Sequence, residues 1–298
     1  MVIGITGASG FIGKALALAA KERGHKVVAF TRKKNGGLPN FDETRVIVPT
    51  GDKPALDPSG LDALVHLAGE SVYGYWTTAK KQRIRDSRVD LTRRVVDALQ
   101  ACKEDGPKVF LCASGTGAYG DRGDEILTES SKRGWGFLAD VCAEWEREAA
   151  RAATFGTRVV YLRTGMVLGQ GGGAWPVLRR VFSLRLGSRL GDGRQWVPWI
   201  HLDDEVGLIL EAIENLGYSG PVNLAAPNPV TNAEMTRTIA NLLNTSTFIP
   251  VPGFALKLVM GEFGSVALES ARAKPEVALK NGYEFKYTDL EHALAMCV

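Results

Sequence analysis

Apolar residues follow two spacings along this chain. Short unbroken runs, as strands buried on both faces require, fall at Val2-Ile3-Gly4-Ile5, at Val27-Val28-Ala29-Phe30 within His25 to Thr31, at Leu61 to Gly69, at Lys108 to Ala113 and at Arg158 to Leu162. Between them, apolar positions recur every three or four residues. Ile12, Leu16, Ala19 and Ala20 follow the first run, Ile84, Val89, Leu91, Val95, Val96 and Leu99 lie within 76–100, and Phe137, Leu138, Val141, Cys142, Trp145 and Ala149 lie within 135–152. That spacing puts each set on one helical face. Strands alternating with helices predict an α/β fold, a Rossmann doubly wound parallel sheet with helices on both faces.

The pattern changes near residue 170. Runs shorten, and Trp175-Pro176, Gly191-Asp192-Gly193 and Pro198-Trp199 interrupt them. Ile200 to Asp204 opens a helix through Asn215, Val222 to Ala225 is a short strand, and Thr231 is placed to cap a helix from Asn232 to Leu243. We expect a first domain over 1–170, its sheet completed by segments near 195–225, and a smaller α+β C-terminal region over 171–298 interleaved with it. Arg45 to Val48 reads as one further strand in a stretch rich in Gly, Pro and Asp.

Chemistry concentrates at the first strand–helix junction. Thr6-Gly7-Ala8-Ser9-Gly10-Phe11-Ile12-Gly13 places glycines three residues apart between a strand and a helix. In that context Gly7 allows a tight turn, Gly10 lets a pyrophosphate reach the backbone, and Gly13 lets the helix pack closely, while the helix N-terminus offers N–H groups to the phosphates. Ser9, Phe11 and Ile12 belong to the same cradle. The second strand ends in Thr31-Arg32-Lys33-Lys34, where a site for a free ribose 2′-hydroxyl places a carboxylate. Cations there attract a 2′-phosphate, so the expected cofactor is NADP(H). Leu67, Ala68 and Gly69, at the end of another strand, are expected to line the nucleotide, and His66 before them reads as a packed core histidine.

Composition narrows the class. The chain has 298 residues, 45% hydrophobic and 23% charged, which suits a packed globule. A net charge of +3 gives no argument for nucleic acid or an anionic membrane as partner. Cys102, Cys112, Cys142 and Cys297 form no C-x-x-C pair, so zinc and redox-motif readings have no support. Charged residues interrupt every apolar stretch short of a membrane span, and a chain without a secretory signal is expected. A cytoplasmic protein is expected, monomeric or homodimeric, acting on a small molecule.

The glycine turn, the strand ending Leu67-Ala68-Gly69, the Ser114 to Gly120 segment, Arg163 to Gly169, Trp199-Ile200-His201-Leu202-Asp203-Asp204 and Val222-Asn223 together resemble the extended short-chain dehydrogenases/reductases. His66 to Glu70, Trp76 to Lys81, Ser87-Arg88, Tyr119 to Asp124, Leu162 to Gly165 and Ala226 to Asn232 are similar to the narrower epimerase-family subgroup 39U. Its members are described as NADP-dependent oxidoreductases without a settled substrate. The resemblance implies that the C-terminal region is a substrate cap, to which Trp175, Trp196, Trp199 and Arg194 could contribute.

The same resemblance implies a Tyr and a Lys four residues apart on the helix after the fifth strand. Here that helix offers Phe137/Val141 or Leu138/Cys142, depending on register, with neither phenol nor ammonium. The accompanying hydroxyl falls at Ser114, or by the alternative alignment at Gly115 with Thr116 beside it. Arg88 stands where the family has an Asn, and would point at the cofactor or an anionic substrate. Ser114 and Tyr119 are the catalytic candidates, with Glu70, Lys81, Cys142 and His201 as other titratable groups. Two functions follow: an NADP(H)-dependent oxidoreductase or epimerase-like enzyme, or an NADP(H)-binding regulatory protein without turnover. A nucleotide-sugar epimerase or dehydratase is a third reading by fold analogy.

Overall fold

In the computed structural model, residues 1–32, 38–48, 51, 55–246 and 250–298 are described. We number the seven strands of the main sheet β1 (Val2–Thr6), β2 (Lys26–Thr31), β3 (Glu43–Val46), β4 (Ala63–His66), β5 (Val109–Gly115), β6 (Arg158–Thr164) and β7 (Gly220–Leu224). Their order is β7-β6-β5-β4-β1-β2-β3, and all six pairings are parallel. The sequence pattern therefore gives the correct class. The unbroken apolar runs are buried because both faces are covered.

One face carries α1 (Phe11–Glu22) and α6 (Leu202–Glu214). Leu16, Ala17 and Ala20 pack with Val206, Ile209 and Ile213 over Ile3, Ile5, Val65 and Leu111. The other face carries α3 (Val89–Cys102) and α4 (Phe137–Ala150), whose Val95, Leu99, Trp145 and Ala149 cover Leu64, Phe110 and Val159. All carboxyl strand ends lie on one edge, and the chain leaves β1 and β4 there on opposite sides of the order reversal, where α/β sheets form a crevice.

The helix expected over 76–100 is two helices, α2 (Thr78–Asp86) and α3, broken at Ser87-Arg88. Ser87 Oγ donates to the Ile84 carbonyl (3.1 Å) and accepts from the Glu70 amide (2.9 Å), so this junction is tied to the segment following β4. Side-chain bonding to nearby backbone competes with a continuous helical ladder.

The later segments build outward from the sheet. β7 pairs with β6 at one edge of the main sheet. A three-stranded sheet joins Met166–Gly169, Gly172–Gly173 and Trp199–His201. A second core gathers α5 (Trp175–Ser183), α7 (Asn232–Leu242) and the C-terminal helix Leu290–Ala295, through Trp175, Phe182, Trp199, Ile239, Leu290 and Leu294. Thr231 caps α7 in a full capping box with Glu234, as its position predicts. Helix α8 (Gly253–Met260) leads into α9 (Glu262–Val266), which packs against the segment before α2, where Phe263 meets Tyr73 and Trp76. No helix among the described residues is long and apolar enough to cross a membrane.

Candidate functional site

The Gly7–Gly13 turn connects β1 to α1 at the sheet's carboxyl edge. Gly7 has φ 70°, and a Cβ there would lie 2.9 Å from the Leu67 carbonyl carbon, so the turn is seated directly on the segment after β4. A Cβ on Gly13 would lie 2.4 Å from Gly7 O. The fold itself requires these two glycines. Gly10 differs: its Cβ would meet only Gly7 O, at 3.0 Å, and otherwise open space. Gly10 is also the N-cap of α1, with no side-chain cap and no acidic residue in the first turn. The first N–H groups of α1 thus face the cleft, in a helix field that favours an anion. Ser9 and Gly10 are exposed and Phe11 and Ile12 half-buried around this opening. Phe11 also packs against Gly169, Gly172 and Gly173, fixing the start of α1 to the segment after β6.

Leu67 and Ala68 line the neighbouring edge. The Ala68 amide donates to Thr6 Oγ1 (3.2 Å), whose other contact is His66 Nδ1 at 2.7 Å. His66 is fully buried and burial lowers its pKa to about 4, so it is a neutral core residue. On the far side of β1, Thr31 ends β2 and Arg32 follows it, exposed. Lys33 and Lys34 lie outside the described residues.

Two contacts bring the helix after β5 against the loop that follows that strand. A Cβ on Gly117 would lie 3.2 Å from Leu138 Cβ, and Cys142 Sγ lies 3.9 Å from the Gly115 carbonyl. Leu138 and Cys142, not Phe137 and Val141, are the pair facing the β5 loop. Burial pushes the Cys142 thiol up to about 11. No phenol or ammonium stands at this pair.

The expected hydroxyls are engaged elsewhere. Ser114 Oγ donates to Glu146 Oε1 on α4 (2.7 Å). Glu146 also receives both arms of the Arg163 fork, at 2.9 and 2.8 Å. Tyr119 is 0% exposed. Its hydroxyl accepts from Arg163 Nη1 (3.1 Å) and lies 2.7 Å from Asn223 Oδ1 and 3.0 Å from the Thr128 carbonyl. Burial raises its pKa further, against the pull of Arg163. This geometry corrects the expectation that Tyr119 delivers a proton at the cleft: the phenol is a core strut joining β5, β6 and β7.

Other candidates have similar structural partners. Lys80 pairs with Glu70, Lys81 with Glu262 and Arg85 with Glu144. His201 caps α6 by accepting from the Asp203 amide. Trp175 and Trp199 are core residues, 1% and 0% exposed, which removes them from the expected pocket lining. Trp196 donates to Asp124 and Arg194 is exposed. Among the described residues, Arg88 alone in its basic run has only backbone acceptors, the carbonyls of Glu70 (2.9 Å) and Ile84 (3.1 Å).

Three charged residues near these strand ends, Arg163 and Glu205 buried and Glu146 half-buried, had no role assigned from the sequence. Glu146 and Arg163 organise the network below Ser114. Glu205, 1% exposed, accepts from Thr164 Oγ1 (2.8 Å) at the end of β6, and its second oxygen has no partner among the described residues. Burial raises its pKa to about 8. The signal was present, since a Glu falls within the apolar stripe of α6 between Leu202 and Ile209.

These features define a Rossmann-class α/β protein with an uncapped glycine turn at its crevice. The chain belongs to the NAD dependent epimerase/dehydratase family, matched over residues 3–225, and residues 251–297 match a domain of unknown function, DUF1731. It is 37% identical over 298 residues to the epimerase family protein SDR39U1 homolog, chloroplastic, of Arabidopsis thaliana, covering 99% of this chain and 86% of that one. It is 35% identical to the epimerase family protein YfhF of Bacillus subtilis, covering 100% and 98%. The crystal structure of human epimerase family protein SDR39U1 (isoform 2) with NADPH superimposes with a TM-score of 0.87 at 30% identity, covering 100% and 99%. The resemblance to subgroup 39U is thereby borne out.

Proposed function

We propose that the protein is an NADP(H)-dependent oxidoreductase or epimerase-like enzyme for a small polar substrate, working without the usual Tyr/Lys pair. The observation that carries this reading is the uncapped, acid-free N-terminus of α1 beneath Gly10, with Arg32 at the neighbouring end of β2. The residues present fit a dinucleotide: open space at Gly10 admits the pyrophosphate, and Arg32 suits a 2′-phosphate. NADPH in the human relative's structure supports the choice of cofactor. Gly7, Ser9, Gly10, Phe11, Ile12 and Gly13 would hold the pyrophosphate, with Thr31, Arg32 and Lys33 at the 2′-phosphate and Leu67, Ala68 and Gly69 along the ribose. The cofactor supplies hydride transfer when bound. The chain excludes water and orients the substrate through Leu138 and the cap. Ser114, held on Glu146, remains a candidate to hydrogen-bond the substrate.

The regulatory reading is favoured by one specific finding: Leu138 and Cys142 face the β5 loop while the Tyr119 phenol is buried away from it. One experiment separates the two. The protein is incubated with NADPH deuterated at C4 and a panel of small carbonyl compounds and metabolite extracts, and products are read by mass spectrometry. Enzyme action predicts deuterium in a product; ordinary nucleotide-sugar epimerase substrates are expected to be inert, since no poised phenol stands beside the sugar. Tight NADPH binding with complete retention of label across the panel, together with no epimer or oxidised product when the same panel is incubated with NADP+, would contradict turnover and support the regulatory reading.

A further inference from the structure

We propose that Arg88 holds the hydroxyl oxygens of the ribose on the nicotinamide side of NADP(H). The inference rests on the NADP(H) reading above and gives one cation a defined place in it. Strand order supplies the first argument. With the pyrophosphate at the β1 turn and the 2′-phosphate at the end of β2, the other half of the dinucleotide must extend over β4 and β5. Arg88 lies at that edge: a Cβ on Gly69, just beyond β4, would sit 3.3 Å from Arg88 Cζ.

Arg88 also has donors to spare. Both its hydrogen bonds leave from Nη1, to the carbonyls of Glu70 and Ile84. Nε and Nη2 have no acceptor among the described residues, and Glu70's carboxylate is bonded to Lys80. The neighbouring cations Lys80, Lys81 and Arg85 each have a carboxylate. A half-buried guanidinium without one retains much of its desolvation cost, which ligand oxygens would offset.

The guanidinium is held rigidly. Arg88 Cζ stands 5.2 Å from the Trp145 ring centroid, a cation–π contact that holds the guanidinium plane, while Ser87 pins the backbone to the Glu70 amide. The group is fixed from behind with donors left over, as a hydroxyl-reading site needs. It also sets a positive charge beside Cys142, on the α4 face that carries none of its own.

Three nucleotides dissect the site by calorimetry on the full chain: NADPH, 2′-phospho-ADP-ribose, which keeps the second ribose but lacks the nicotinamide, and 2′,5′-ADP, which lacks both. Arg88→Gln is expected to weaken NADPH and 2′-phospho-ADP-ribose by roughly tenfold or more, the scale of a lost charge-assisted hydrogen bond. Binding of 2′,5′-ADP should remain within about twofold, which also shows that the cradle is folded. Arg88→Lys should recover part of the loss. Equal weakening of all three nucleotides in both variants would overturn the assignment by making Arg88 a structural residue. Unchanged affinity for all three would overturn it in favour of a substrate contact. Failure of the wild-type chain to bind 2′,5′-ADP would instead sink the NADP(H) reading itself.

Discussion

Gly7, Gly10 and Gly13 look equivalent in the sequence and do different work in the structure. Gly13 is required by packing, since a Cβ would be 2.4 Å from the Gly7 carbonyl oxygen, backbone that cannot swing aside. A Cβ on Gly10 would meet that oxygen at 3.0 Å, a tight but smaller conflict, and otherwise only open space. Gly10→Val should therefore keep its thermal midpoint within a few degrees of wild type and lose binding of NADPH and NADH together, whereas Gly13→Val should lose the fold as well. Circular-dichroism melts alongside nucleotide titrations check this, and a folded Gly10→Val that still binds would place the phosphates elsewhere. These glycines were legible because strand, turn and helix surround them. Tyr119 was not: a Tyr at a loop after a strand carries no mark of whether its ring turns to the cleft or the core, and its partners Asn223 and Arg163 are 104 and 44 residues away.

At the level of elements, helix periodicity placed α1, α4 and α6 well, because a face that packs on a sheet must be apolar. It missed the break between α2 and α3, since the apolar stripe runs on through Ile84 and Val89 and only the Ser87 contacts interrupt the ladder. Within α6, Glu205 gives a pH-dependent load on the α6–β6 contact. Burial raises its pKa from 4.5 to about 8, with Thr164 opposing. Between those values the unfolded chain releases a proton that the folded chain keeps, so this group's contribution to stability falls as pH rises through about 8. Glu205→Gln, which keeps the shape without the titration, should match wild type near the acid end of that window and become the more stable protein at the alkaline end. Thermal melts across the window read the difference. A gap that does not change with pH would mean that Glu205 is ionised in the native protein.

The whole molecule is a parallel sheet whose later chain folds back to close it. Asp204, 0% exposed, accepts the amides of Lys286 and Tyr287 at 2.8 and 2.9 Å, so α6 directly anchors the C-terminal segment. Glu129 accepts amides of Asn223, Glu276 and Val277, binding the β7 edge to the same segment. Such long-range ties leave no local periodicity, which is why the sequence indicated a second region from residue 170 but not how it interleaves with the first. The proposed site at the crevice was legible as a proposal because its parts lie within the first 32 residues and at the end of β4. We propose that this crevice selects NADP(H) through the cation ending β2. Isothermal calorimetry on wild type and Arg32→Ala, each with NADPH and NADH, tests it most directly. We predict much tighter NADPH binding by the wild type, a loss of roughly 1.5–3 kcal/mol for NADPH in Arg32→Ala and little change for NADH. Equal wild-type affinities for the two cofactors would contradict the account.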